Sequence, residues 1–156
     1  MGPFAGWLRG AVIQCKYHGE WARVSQLAAL LGEVCQTLGP CDALVPVPLH
    51  SSRVRQRGFN QSLLLARGVA DLHHIPVEAC LVRTRRTDSQ AQLTAEERRR
   101  NVTGAMALAP ERTITDRRFV LIDDVITTGS TLAACAAVLE QAGARWVKAA
   151  TICREL

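Results

Sequence analysis

The residues best suited to chemistry are two adjacent acids, Asp123 and Asp124, which follow an apolar stretch of the chain. That stretch predicts a buried strand, and ligands of doubly wound sheets bind where strands end. Two neighbouring carboxylates are costly at such a place unless they are solvated, paired or bound to a ligand. Vicinal ribose hydroxyls suit them, because each carboxylate can accept a hydroxyl hydrogen bond. We therefore expect the acid pair to hold a sugar.

Small, mostly hydroxylated residues follow the acids and open a helix: Thr127, Thr128, Gly129, Ser130 and Thr131. Their N–H groups and hydroxyls can surround a dianionic phosphate at the positive end of the helix dipole. Gly129 lets the backbone approach a ligand closely. Taken separately, the two halves fit an acidic strand end and an ordinary helix cap. Joined over residues 119–131, they indicate a binding loop for a phosphorylated ribose.

Apolar patterns predict the elements that carry these residues. Helices are expected over residues 5–18, 21–36, 60–73 (with Asn60 as N-cap) and 131–141. Short apolar runs predict strands over residues 43–47, 77–82, 105–109, 119–122 and 146–152. Because these runs are continuous rather than alternating, they favour a parallel sheet covered on both faces. The expected fold is α/β, with a Rossmann-like parallel sheet flanked by helices.

The chain of 156 residues suits one structural domain. Within it, we expect residues 1–40 to form an N-terminal helical segment that packs on a core of residues 41–156. Hydrophobic residues make up 48% and charged residues 21%, which excludes a disordered chain. The net charge of +5 comes mainly from arginine and favours phosphorylated ligands or nucleic acid, although a solvated basic surface also explains it.

Cysteine and apolar patterns bear on metals and location. None of the six cysteines forms a C-x-x-C pair, so no zinc site is expected, and a metal shared by Cys15 and His18 has little support. No apolar run is long enough to cross a membrane, and no secretion signal precedes the first helix. We therefore expect a cytoplasmic protein with reduced thiols.

Two polar stretches separate the predicted elements. Residues 51–61 are basic and loop-like and contain Arg53 and Arg57. Residues 85–94 have no apolar face and indicate a long loop, after which Thr94 can begin a short helix with a capping box. Arginine binds phosphate oxygens through two parallel hydrogen bonds, so the first stretch can contact an anion; a solvated turn is the alternative.

Residues 119–131 resemble the signature of type I phosphoribosyltransferases, with a match at each restricted position. The resemblance implies phosphoribosyl pyrophosphate (PRPP), or a nucleoside monophosphate, as ligand and Mg²⁺ as cofactor. It implies that Asp123 and Asp124 contact the ribose hydroxyls and that residues 127–131 hold the 5′-phosphate. Mg²⁺ would then be held through the substrate, with the two acids as further candidate ligands.

A narrower resemblance, to the ComF/GntX family, covers most of the chain. It is carried by residues 16–19, 45–50, 57–61 and 100–102, together with Arg83, Thr87, Gln90 and Leu93. That family is linked to DNA uptake during natural competence in bacteria, which implies competence proteins or single-stranded DNA as partners. Its members usually begin with a four-cysteine zinc ribbon, and this sequence departs from that pattern.

The resemblance also implies a pyrophosphate site and a closing flap. In such enzymes a loop after an early strand cradles pyrophosphate, and Val47, Pro48, Arg53 and Arg57 lie at the corresponding place. Residues 84–94 resemble the mobile flap that closes over the substrate and excludes water. Gln90 and Arg100 are the flap candidates, with simple surface roles as the alternative.

Two functions are therefore possible, and a homodimer is compatible with either of them. The first is a PRPP- and Mg²⁺-binding protein that transfers phosphoribose to a nitrogenous base, in competence or nucleotide metabolism. The second is a non-catalytic DNA-uptake factor that acts through partner proteins or single-stranded DNA, against which the aromatic content of 4% speaks. An unrelated phosphate-binding domain has little support, since no G-x-x-x-x-G-K-[ST] or G-x-G-x-x-G motif occurs.

Overall fold

The computed structural model describes residues 2–3, 21–85 and 104–154. Its elements, in chain order, are β1 (Gly2–Pro3), α1 (Trp21–Thr37), β2 (Ala43–Pro46), α2 (Ser51–Arg57), α3 (Gln61–His73), β3 (Leu81–Arg83), β4 (Met106–Leu108), β5 (Arg118–Ile126), α4 (Ser130–Gln141) and β6 (Trp146–Arg154). The helices predicted over residues 5–18 and from Thr94 lie outside the described residues.

A four-stranded parallel sheet, in the order β1-β6-β5-β2, forms the centre of the fold. The register runs from Ala43 opposite Phe119 to Pro46 opposite Ile122 between β2 and β5. Buried residues occupy all four positions of β2, as expected for a strand covered on both faces. The predicted parallel α/β sheet is confirmed.

Helices bury both faces of this sheet. On one face, α1 and α3 pack on the sheet through side chains at helical spacing, which are Leu27, Ala28, Leu31, Cys35, Leu65, Ala66 and Val69. On the other face, α4 contributes Leu132, Cys135 and Leu139, which pack with Phe119 and Leu121 of β5. Because α1 shares a core with the sheet, it acts as part of the same packed unit; the division at residue 40 stays a prediction.

The two short strands predicted over residues 77–82 and 105–109 are not strands of the parallel sheet, which the first touches through a single bridge between Leu44 and Val77. There, Leu44 N donates to Pro76 O at 2.8 Å, and Leu44 O accepts from Glu78 N at 2.9 Å. The chain then leaves the sheet, and β3 pairs antiparallel with β4 as a separate two-stranded ribbon. A short apolar run carries no information on its partner, which explains why the sequence pattern misassigned this pairing.

The segment predicted as loop-like over residues 51–61 contains a helix, which corrects that prediction. His50 is the N-cap and accepts a hydrogen bond from Ser52 N. Gly58 ends α2 in a left-handed conformation with φ of 83°, and its N–H donates to Val54 O at 2.7 Å. No residue of α2 is buried, so the helix has no apolar stripe that a periodicity argument could detect.

Strand β5 is longer than predicted and includes the acid pair. The expected strand ended at Ile122, whereas pairing with β6 continues through Asp123 opposite Thr151 to Ile126 opposite Arg154. The acids therefore lie within the last part of a strand instead of beyond it. A strand held by a neighbour on its full length fixes their backbone more firmly than a loop does.

Candidate functional site

The carboxylate of Asp123 is held by two donors. Ser62 Oγ donates to Asp123 Oδ1 at 2.9 Å, and the backbone N–H of Asp124 donates to the same oxygen at 3.0 Å. Ser62 is only 5% exposed, and it reaches the acid from the start of α3. Hydrogen bonds to a charged acceptor are among the stronger ones in proteins, so the orientation of this carboxylate is well defined.

Asn60 connects this acid to the segment after β2. Its Oδ1 accepts a hydrogen bond from Ser62 N at 3.1 Å, which confirms the predicted N-cap, and its Nδ2 donates to Val47 O at 3.0 Å. Val47 N in turn donates to Ile122 O at 3.0 Å, directly before the acid pair. The structure thus places the predicted pyrophosphate residues Val47 and Pro48 beside the acids.

The loop after β5 leads into the N-terminus of α4, where Ser130 N donates to Thr128 Oγ1 at 3.4 Å. Gly129 is the N-cap of α4, with φ of 76°, and supplies no side-chain acceptor to the first turn. Beside it, the hydroxyls of Thr128 and Ser130 lie 2.7 Å apart. Backbone N–H groups at such an end need acceptors, and a phosphate supplies them. Residues 127–131 thus lie at the start of a helix, and their role as a phosphate loop stays a prediction.

Two arginines from different elements meet near the acids. Burial lowers the pKa of the Arg83 guanidinium, the neighbouring charge of Arg53 lowers it further, and Asp123 opposes this shift. The structure thus brings Arg83 within electrostatic range of both Arg53 and Asp123. The site residues predicted from the sequence did not include Arg83, because a short strand gives no sign of where its side chain points.

The other predicted basic and flap residues have different outcomes. Arg57 donates from Nη1 to the Oε1 of the buried Gln61 at 3.4 Å, which holds its side chain against the start of α3. Arg55 of the same helix is exposed. Gln90 and Arg100 lie outside the described residues.

The thiols near the site are poor nucleophiles. Burial raises the pKa of Cys135 to about 12, with a contribution from the charge of Asp123, and raises that of Cys80 to about 11. Cys35, on the far side of the sheet, is raised to about 11 for the same main reason. A thiolate is the reactive form of cysteine, so covalent catalysis by these three residues is disfavoured.

The oxygen donors of the acid pair fit Mg²⁺, which is typically bound through one or two carboxylates and substrate phosphates. Within the described ranges, no group of three or more His, Cys, Asp or Glu side chains is arranged to hold a metal ion by itself. A metal ion that arrives with a phosphorylated substrate matches this donor set better than a cage made only of protein ligands.

A cavity of about 560 Å³ lies beside the phosphate loop. It is lined by Thr128, Gly129 and Ser130 of the loop, by the small residues of α4 as far as Gln141, and by Met106 of β4. The acid pair lies outside this lining. The cavity is therefore a groove along α4 that is separate from the acids.

Residues 60–156 match the family described as "Phosphoribosyl transferase domain". This match covers more than half of the chain and includes the acid pair, the phosphate loop and the start of α3. The chain belongs to this family.

Curated relatives place the chain within one branch of that family. It is 40% identical over 116 residues to "DNA utilization protein YhgH" of Escherichia coli O157:H7. It is also 36% identical over 124 residues to "Competence protein F" of Haemophilus influenzae and 31% identical over 112 residues to "Competence protein ComFC" of Bacillus subtilis. The alignments cover 74%, 78% and 71% of this chain but 50%, 54% and 44% of the relatives, so the chain spans about half their length. The resemblance to the ComF family is confirmed.

Solved structures share the fold. A glutamine PRPP amidotransferase from B. subtilis, complexed with ADP and GMP, superimposes with a TM-score of 0.54 at 23% identity, covering 81% of this chain and 25% of that one. The protein TT1426 from Thermus thermophilus gives 0.50 at 19% identity, covering 82% and 72%. These likenesses confirm the type I phosphoribosyltransferase fold. Among the described residues, no helix has the length and apolar character needed to span a membrane.

Proposed function

We propose that this chain binds PRPP with Mg²⁺ at the end of β5 and transfers the phosphoribosyl group to a nitrogenous base, with release of pyrophosphate. The observation that carries the proposal is the oriented carboxylate of Asp123, which Ser62 and Asp124 N hold at the end of the strand that leads to the N-terminus of α4. The two features suit the two ends of one phosphorylated sugar.

Each part of PRPP has a proposed contact. Asp123 and Asp124 accept hydrogen bonds from the ribose hydroxyls, and residues 127–131 surround the 5′-phosphate. The pyrophosphate lies against Val47 and Pro48, whose position beside Ile122 is set by a backbone hydrogen bond. Fixing the sugar at both ends holds C1′ in one place, which lowers the entropic cost of the reaction.

The arginines are proposed to receive the leaving group. Arg83 lies within electrostatic range of Arg53 and Asp123, and the two arginines would neutralise pyrophosphate oxygens as the bond to C1′ breaks. Arg57 adds positive charge from the end of α2. Gln90 and Arg100 stay predictions for closing the site. Mg²⁺, when bound, supplies further neutralisation of the pyrophosphate charge.

The names of the relatives suggest where such a protein acts. Three related chains are named for competence or DNA utilization, and we propose that the PRPP site serves a protein of that kind. Direct contact with single-stranded DNA is the competing function. It predicts oligonucleotide binding with a steep dependence on salt, because phosphate contacts release counterions.

Calorimetric titration of PRPP, with and without Mg²⁺, tests the proposal. We expect binding that depends on Mg²⁺ in the wild-type chain and is lost in Asp123→Asn/Asp124→Asn. Asp71→Asn removes an exposed carboxylate of α3 and is expected to bind normally. A screen of bases for pyrophosphate release then identifies the acceptor. Absence of PRPP binding by the folded wild-type chain, together with salt-sensitive oligonucleotide binding, would favour the DNA-binding function instead.

A further inference from the structure

The start of α3 buries polar groups directly behind the acid pair. Ser62 is 5% exposed, although it stands in a helix whose other buried face is mainly apolar. Burying a hydroxyl costs free energy unless it forms a good hydrogen bond. For Ser62, the hydrogen bond to Asp123, which is 61 positions away in the sequence, offsets this cost. The burial of this hydroxyl is therefore explained by its hydrogen bond to Asp123 rather than by helix packing.

Both donors to Asp123 reach the same oxygen, and this defines the plane of the carboxylate. Ser62 Oγ lies 2.9 Å and Asp124 N lies 3.0 Å from Asp123 Oδ1. A charged carboxylate has about four acceptor positions, so two donors on one oxygen orient the positions that remain. Without the hydroxyl, this oxygen would lose its hydrogen bond from α3 and keep the one from the N–H of the next residue.

Ser62 is itself fixed by the helix cap. Its backbone N–H donates to Asn60 Oδ1 at 3.1 Å, and Asn60 is anchored by its bond to Val47 O. The hydroxyl is therefore presented by a helix start that is tied to the strand edge. This rigidity is what a residue needs in order to orient another side chain.

We propose that Ser62 is a positioning residue, which aims the carboxylate of Asp123 at the ribose hydroxyls. The inference rests on the proposed function, because it takes Asp123 as a ribose ligand. Ser62 itself does not touch the ligand. Its removal should weaken the recognition of the sugar and leave the recognition of the phosphate intact.

The structure contains a matched control in Ser52. Both serines are the second residue of a helix, and both donate a backbone N–H to the side chain of the N-cap, Asn60 or His50. The hydroxyl of Ser52 contacts His50 Nδ1 at 2.8 Å and is not part of the proposed site. Ser52→Ala therefore reproduces the loss of a hydroxyl near a helix start without affecting the acid pair.

The experiment compares two probes, ribose 5-phosphate and inorganic phosphate, by NMR titration of the full chain with Mg²⁺. We expect the ratio of their dissociation constants to change about tenfold in Ser62→Ala, because a misaimed Asp123 carboxylate would lose about one hydrogen bond to a ribose hydroxyl. Ser62→Thr keeps a hydroxyl and should preserve most of the ratio. Ser52→Ala should leave it unchanged. In Asp123→Asn, the further change Ser62→Ala should have little effect.

The outcomes separate the positioning role from the proposed function. If the wild-type chain does not prefer ribose 5-phosphate to phosphate, the proposed function fails and this inference fails with it. If the wild type prefers the sugar and Asp123→Asn loses that preference, the site stands. An unchanged ratio in Ser62→Ala would then overturn the positioning role alone. An equal loss for both probes would also overturn it, since that indicates a general structural effect.

Discussion

Strand β5 carries charged groups at both of its ends, and their surroundings differ. At the beginning, Arg118 donates from Nε and Nη2 to Asp42 at 3.1 and 2.7 Å, and its backbone N–H donates to Asp42 Oδ2 at 2.7 Å. Arg117 forms an ion pair with Glu78 through two hydrogen bonds, and its Cζ lies 5.2 Å from the centre of the Phe119 ring. At this end of the strand, each of the two arginines is paired with a carboxylate of the protein itself.

At the other end of β5, the acids are arranged around different partners. Asp123 accepts hydrogen bonds from the hydroxyl of Ser62 and from the backbone N–H of Asp124, and both donors help to orient the carboxylate. The charges of Arg53 and Asp123 both act on the guanidinium of Arg83. The same residue types therefore form ion pairs of the protein at one end of β5, and at the other end they belong to the proposed ligand site. This distinction leads to predictions that can be measured separately.

The largest expected effect comes from replacing the charged residues in pairs, one pair at each end of β5. Asp123→Asn/Asp124→Asn should weaken PRPP binding by about 100-fold or more, since several hydrogen bonds to charged groups are lost, and should leave Tm unchanged or raised. Asp42→Asn/Glu78→Gln should lower Tm and keep the affinity for PRPP. Calorimetry and thermal unfolding of the wild type and both double variants check this. If both pairs changed the same property, the division between a structural and a binding end would be wrong.

Substitution of the arginines should give the next largest effect. Arg83→Gln, or Arg53→Gln, removes a cation proposed to contact pyrophosphate, and we expect about tenfold weaker binding of PRPP. Binding of ribose 5-phosphate, which has no pyrophosphate, should be unchanged. Arg55→Gln, on the exposed side of the same short helix as Arg53, is the matched control. Equal weakening of both ligands by Arg83→Gln would indicate general disruption of the site.

A smaller effect is expected at the phosphate loop. Gly129 has φ of 76° and Gly39 has φ of 88°, so alanine at either position is strained by about 1–2 kcal/mol. Gly39 lies after α1, on the chain segment before β2. Both Gly129→Ala and Gly39→Ala should therefore lose stability, whereas only Gly129→Ala should weaken the binding of inorganic phosphate, by several-fold. Unchanged phosphate binding in Gly129→Ala would contradict the loop assignment.

The smallest expected effect is a dependence of the stability on pH in the acidic range. The hydrogen bonds from Arg118 lower the pKa of Asp42 from its ordinary value of 3.8 to about 2. A carboxyl with a lowered pKa stabilises the fold fully above its unfolded pKa, and that contribution is lost as the pH falls through the folded value. The difference in unfolding free energy between wild type and Asp42→Asn should therefore shrink between pH 4 and pH 2. Urea titrations at these two pH values measure it, and a constant difference would refute the ion pair's role.

Sequence reasoning found the parts of the site that are continuous in the chain. The acid pair and residues 127–131 are neighbours along the chain, so their order alone predicted a two-part binding loop. Asn60 was predicted correctly as a helix cap. The contact of Ser62 with Asp123 was not found, since it joins residues 61 positions apart. Arg83 was missed as a site residue because its place depends on a ribbon that leaves the sheet. Helix α2 was missed because none of its residues is buried.

The most direct test of the central claim is a titration of the ¹⁵N-labelled chain with PRPP and Mg²⁺, followed by amide NMR. We predict that the largest shift changes fall on Asp123, Asp124 and residues 127–131, while the amides of Asp42, Arg117 and Arg118 at the other end of β5 hardly move. Changes absent from the acid pair and the loop, or concentrated at the opposite end of the strand, would contradict the proposed site.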